Sequence, residues 1–167
     1  MSINGASMKE LPGLIDRLKK SANPDELTKF LKSKSAKSLD LTQCLPNHHA
    51  LFHILMDAAA QAEITELALN LDEIGEDGAE IICANLKKTK ISKLCLSSCF
   101  FHISPESAQK CAPLLYDTAI IEVQLNPKTD PTAISLFAGA TQHNADVLPA
   151  LNDVFTPKYK SCLQAAP

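Results

Sequence analysis

Four short leucine-type triplets stand at nearly equal distances along the chain: Leu39-Asp40-Leu41, Leu67-Ala68-Leu69, Leu94-Cys95-Leu96 and Val123-Gln124-Leu125. They begin at positions 39, 67, 94 and 123, an almost constant step. A shared period of that length marks a stacked array in which each unit buries its apolar side against the next. In a strand, alternation sends the outer two residues of each triplet to one side and the middle residue to the other. One side is then core and the other solvent.

A second pattern repeats in phase with the first. Each triplet is preceded, three positions earlier, by Ala36, Ile64, Ile91 or Ile120. Each is followed by an amphipathic segment with an apolar stripe at i, i+3, i+4 and i+7, the mark of a helix with one inward face. The stripes are Leu51/Ile54/Leu55/Ala58, Ala79/Ile82/Cys83/Leu86 and Ala108/Cys111/Ala112/Leu115, and their starts keep step with the triplets. A fourth, Ala133/Leu136/Phe137/Ala140, begins sooner than the period would place it, so the last unit is expected to be distorted. Ser104-Pro105-Glu106 and Asp130-Pro131 supply helix caps, with proline at the first helical position. Cys44, Asp72, Cys99 and Lys128, three positions past each second leucine, mark the turns. A polar or thiol side chain there would satisfy loop backbone.

The run Ile64 to Lys88, ITELALNLDEIGEDGAEIICANLKK, resembles the ribonuclease-inhibitor-like class of leucine-rich repeat. Ile74-Gly75 and Gly78-Ala79 match the turn and helix start of that class. The resemblance spans residues 36 to about 140, with Pro46 and Asp130 standing where the class has leucine. It implies an α/β solenoid, parallel strands on a concave face and helices on a convex one, of about four repeats over residues 36–144. It also implies a protein partner held on the strand face and, in larger members, inhibition of that partner. Small free-standing arrays of this kind resemble effectors that bacterial pathogens deliver into host cells.

The flanks read as caps. Residues 1–35 form a helical N-terminal cap of two helices, one with the stripe Leu11/Leu14/Ile15/Leu18 and one capped at Asn23-Pro24 with Leu27, Phe30 and Leu31 on its apolar side. Residues 145–167 are expected to hold a short cap helix from about Asp146, closed near Pro157, and a mobile tail.

Charge and cysteine usage narrow the function. Residues 1–37 carry eight Lys/Arg against four Asp/Glu, whereas residues 38–167 carry eight against fifteen. An acidic array is a poor match for a phosphate backbone, so no nucleic-acid partner is expected. No run reaches the roughly 20 apolar residues of a membrane span. No N-terminal signal-peptide pattern is visible, so the six cysteines read as reduced thiols in the cytoplasm, or in a host cell reached by a leaderless secretion route.

Candidate chemistry is sparse. Cys44, His48, His49, His53 and Asp57 cluster in sequence, and the last three fall four apart on one helix, opposite the apolar stripe. No CxxC or HExxH completes a zinc site, so they read as a polar helix surface rather than a metal centre. Cys44 reads as a turn residue, and Cys95 has no histidine nearby in sequence to activate it. The turn accounts for Gly75 and Gly78, leaving no phosphate loop. Catalytic residues, metal and cofactor are therefore all expected to be absent. A Cys/His enzyme, a metal-binding protein and a passive adaptor are the rival readings.

The open side of the strands is the candidate site. It comprises Ser38, Asp40 and Thr42; Glu66, Ala68 and Asn70; Lys93, Cys95 and Ser97; and Glu122, Gln124 and Asn126. Gln43, Leu71, Ser98 and Pro127 adjoin it, with Phe100 and Phe101 as the nearest large anchors. Partner contact is expected at Asp40, Thr42, Glu66, Asn70, Leu71, Lys93, Cys95, Ser97, Phe100, Glu122, Gln124 and Asn126. Asp72, Glu73, Glu76, Asp77 and Glu80 form an acidic rim, a solvated edge or a contact for a basic partner. These features suggest a module that is monomeric when free and binds one protein.

Overall fold

A computed structural model describes residues 10–21, 23–43, 49–98, 103–126 and 128–163. In chain order the elements are α1 (Leu11–Ser21), α2 (Pro24–Ser33), β1 (Ser38–Asp40), α3 (His49–Gln61), β2 (Glu66–Asn70), α4 (Leu71–Asn85), β3 (Lys93–Ser97), α5 (Pro105–Leu115), β4 (Glu122–Leu125) and α6 (Pro131–Leu163). The fold is mixed α/β. The four strands form one parallel sheet in the order β1-β2-β3-β4.

The register follows the sequence period. Leu39 pairs with Leu67, Leu67 with Leu94 and Leu94 with Val123, while Asp40, Ala68, Cys95 and Gln124 form the neighbouring row. Parallel strands need a crossover between them, and α3, α4 and α5 supply it. The expected stripes of α4 and α5 are buried throughout. On α3, Phe52, Met56 and Ala59 are buried beside Leu51, Leu55 and Ala58, while Ile54 of the expected stripe is only half-buried, so the inward face is rotated from that stripe.

Helix ends have local causes. The Asn23 side chain accepts from Asp25 N at 2.9 Å, Ser104 Oγ from Ser107 N at 3.1 Å and Asp130 Oδ1 from Thr132 N at 2.7 Å. At the far ends, Ala36 N donates to Leu31 O and Ile64 N to Ala59 O, each at 3.1 Å. These bonds span left-handed turns at Ser35 (φ 49°) and Glu63 (φ 56°), where glycine would be the usual occupant. Ser35 and Glu63 each directly precede the apolar residue that opens a unit, Ala36 and Ile64, so the repeat extends to the helix ends.

Both glycines of α4 have a steric reason. Gly75 adopts φ 66°, ψ −179°, a region open essentially only to glycine, and kinks the helix after its first turn. Gly78 lies so close to α3 that an added Cβ would sit 2.8 Å from Phe52 Cε2 and 3.0 Å from Ile74 Cβ. The turn thus accounts for Gly75, and packing against the neighbouring unit accounts for Gly78.

The C-terminal expectation is corrected. One helix runs from Pro131 to Leu163, with no break near Asp146 and no end before Pro157. Asp146 instead accepts from Gln142 Nε2 at 2.9 Å within that helix. The buried stripe of α6 continues from Ala133, Phe137 and Ala140 to Asn144, which is 1% exposed. Asn144 Nδ2 donates to Leu115 O and Ile120 O, both at 2.7 Å, and its Oδ1 accepts from Asp117 N at 2.9 Å. A buried amide that serves the end of α5 and the loop before β4 anchors α6 at the point where a break was expected.

Candidate partner-binding face

The in-register sheet turns the solvent side of the strands into three rows. The first holds Ser38, Glu66, Lys93 and Glu122. Lys93 Nζ lies 3.1 Å from Glu122 Oε1, and Gln124 Nε2 donates to the same carboxylate at 2.7 Å. The Lys93 and Gln124 hydrogen bonds hold the Glu122 carboxyl below the usual glutamate range. Glu66 is exposed.

The second row holds Asp40, Ala68, Cys95 and Gln124, with two small side chains at its centre. Burial pushes the Cys95 thiol up from its ordinary pKa, with Asp40 and Glu122 acting in the same direction and Lys93 against it. At neutral pH Cys95 is therefore a thiol, a poor nucleophile.

The third row, Thr42, Asn70, Ser97 and Asn126, is occupied with backbone. Asn70 Oδ1 accepts from Asp72 N at 3.0 Å, capping α4. Ser97 Oγ donates to Leu69 O at 3.0 Å on the preceding unit, and Asn126 Nδ2 donates to Ser98 O likewise. Thr42 donates its N and Oγ1 to Asp40 Oδ1 at 3.0 and 2.7 Å. These side chains tie each unit to itself or to its neighbour.

Leu71, expected at the margin of the face, is buried at 4% exposure. It continues the alternation of Leu67 and Leu69, and α4 starts directly on it, so the side chain turns into the core. Phe100, Phe101, Pro127, Cys44, Cys99 and His48 lie outside the described residues.

Much of the acidic rim is directed at the next unit. Asp72 Oδ1 accepts from Ser98 Oγ at 2.6 Å, and Glu80 lies 3.6 Å from Lys110 Nζ. Glu76 accepts from Ser104 N at 2.7 Å and Ser107 Oγ at 2.6 Å, so it caps α5 from the preceding unit. Burial pushes the Glu76 carboxyl up, but those hydrogen bonds and Lys110 outweigh it and leave it below its ordinary value. Asp77 is exposed.

On the histidine helix, His53 Nδ1 lies 3.4 Å from Asn85 Nδ2, and Asp57 Oδ1 lies 3.7 Å from Lys88 Nζ. Among the described residues no group of three His, Cys, Asp or Glu side chains is placed to hold a metal ion, and no helix is long and apolar enough to cross a membrane. Cys83 and Cys111 are buried free thiols. The void beneath β1 and β2, about 10 Å³, is apolar and has room for no more than about one water.

Sequence reasoning missed Asn144 and the structural role of the third row. Asn144 carries no local signal because its partners lie 24 to 29 residues away. The third row did carry one, since Thr42, Asn70, Ser97 and Asn126 all directly follow the second leucine of their triplets. No protein-family model and no curated protein matches the chain.

Proposed function

We propose that this chain is a non-enzymatic protein-binding module, a short solenoid of the ribonuclease-inhibitor-like leucine-rich-repeat class. It grips one protein partner through the open strand face and so inhibits or regulates it. The supporting observation is the register. Identical positions of four successive units line up, so the side chains between the leucines become continuous rows on a face about 15 Å wide. With the adjoining loops, such a face approaches the ~20–30 residues per side of a standard interface.

Its charge favours a protein over a nucleic acid. Asp40, Glu66 and Glu122 stand against Lys93 alone, and Lys93 is paired with Glu122. Complementary charge on a partner would set its register and speed encounter. On this reading the chain works in the cytoplasm, or in a host cell as a bacterial effector or effector regulator.

The test is affinity capture from the native lysate, comparing wild type with the triple variant Glu66→Lys, Lys93→Glu, Glu122→Lys. Reversing both members of the Lys93–Glu122 pair keeps their mutual attraction, so the sheet is left intact. Loss of the captured protein is the expected result, and equal capture by both forms would remove the strand face as the binding site.

A further inference from the structure

The two ends of the sheet are finished differently. At the β1 end, Leu11, Leu14, Ile15 and Leu18 of α1 and Leu27 and Leu31 of α2 are all buried. At the β4 end lie the three exposed large hydrophobics found among the described residues: Tyr116, Ile121 (49% exposed) and Ile134 (41%). The leucines of β2 and β3 are buried, but their counterparts Val123 and Leu125 are only half-buried. A groove of about 320 Å³ runs between β4 and α6, walled by Ile121, Val123, Leu125, Ile134 and Phe137.

β4 is also an open edge, with no strand beyond it among the described residues. Glu122 N donates to Ser92 O at 3.1 Å, on the side of β3. Backbone groups alternate sides along a strand, so those of Val123 and Leu125 point to the open edge. β4 contains no lysine or proline, the residues that commonly guard such an edge.

We propose that the occupant of this edge is a second copy of the same chain, its β4 pairing antiparallel with this β4 about a two-fold axis at Val123. Complementarity selects that register. It sets Ile121 against Leu125 of the other copy on the core side and Glu122 against Gln124 on the open side, twice by symmetry. Within one strand the Gln124 amide bonds the Glu122 carboxylate in an exposed contact, which pairing exchanges for the equivalent contact across the axis. An axis at Glu122 would oppose two carboxylates. One at Gln124 would face Glu122 with Asn126, whose amide is occupied by Ser98 O and Lys128 N. The dimer replaces the free monomer suggested by sequence and joins the two open faces into one eight-stranded surface. It does not depend on the partner-binding reading above.

Sedimentation equilibrium of the full chain from micromolar to submillimolar concentration tests this. The expected result is an 18.0 kDa monomer in exchange with a dimer, lost in Ile121→Lys, with the Val123 and Leu125 amides gaining exchange protection as concentration rises. Gln124→Glu, which opposes like charges at both symmetric contacts, should raise the dimer Kd about tenfold. Gln124→Lys should lower it. A monomer at every concentration would overturn the proposal, as would a dimer indifferent to Ile121→Lys and to the charge at position 124. Ile121 and Gln124 are exposed, so these variants test association rather than folding.

Discussion

Replacing Asn144 with alanine removes a buried amide that serves three backbone groups at once. Leu115 O keeps a second donor, Thr118 Oγ1 at 2.6 Å, but Ile120 O and Asp117 N lose the side-chain partners shown here. A buried polar group left unsatisfied costs about 1–3 kcal/mol; Ile120 O is buried and Asp117 N only part-buried, so Asn144→Ala should cost about 2–4 kcal/mol. In a domain of this size that lowers Tm by roughly 4–16 °C. Urea unfolding followed by circular dichroism should show a lower midpoint with an unchanged slope. The near-isosteric Asn144→Asp sharpens the test. It keeps the acceptor for Asp117 N but sets a carboxylate against two carbonyl oxygens. That environment would raise its folded pKa above the unfolded value, so the variant should be least stable at neutral pH and recover as pH falls. A loss below about 1 kcal/mol for Asn144→Ala would refute the idea that this amide anchors α6.

The other predictions are local. Gly78→Ala drives a methyl into Phe52 and should cost about 1–3 kcal/mol by overpacking despite alanine's better helix propensity, with Phe52→Leu restoring part of the loss in the same unfolding assay. Ser35→Gly should stabilise by roughly 0.5–1 kcal/mol, because it relieves a left-handed serine by more than the added unfolded-state freedom costs. Glu76 has a folded pKa below its unfolded one, so its contribution is full above about pH 4–5 and is lost as pH falls through the folded pKa. Glu76→Gln should therefore flatten the acid limb of a stability–pH curve. Lys93→Glu alone should leave stability little changed, since the pair is only partly buried, while abolishing capture of the proposed partner.

Much of the architecture was legible because it is periodic. The leucine triplets and the helix stripes each gave the register independently, and Leu39, Leu67, Leu94 and Val123 do stand side by side. The caps at Asn23, Ser104 and Asp130 were legible for a different reason: their hydrogen bonds close within one helical turn. Leu71 was misplaced because it was counted with the loop when the alternation of its own strand already turned it inward. The break predicted in α6 failed because the stripe was followed only to Ala140, and a polar Asn144 does not read as core. The left-handed turns at Ser35 and Glu63 were invisible because a glycine signal was absent.

The sequence by itself determined the pairing of the strands and the side of each that faces solvent, because an alternation at every second position nested in the longer repeat leaves one register that turns every triplet leucine to the same side. Tertiary structure alone decided which polar groups on that side are available. Ser97 and Asn126 are occupied by carbonyl groups 28 residues away. Tertiary structure also decided that one end of the sheet is sealed and the other open. Hydrogen bonds between neighbouring strands and helices join residues far apart in the chain, and no local pattern of residue types encodes which of them will meet.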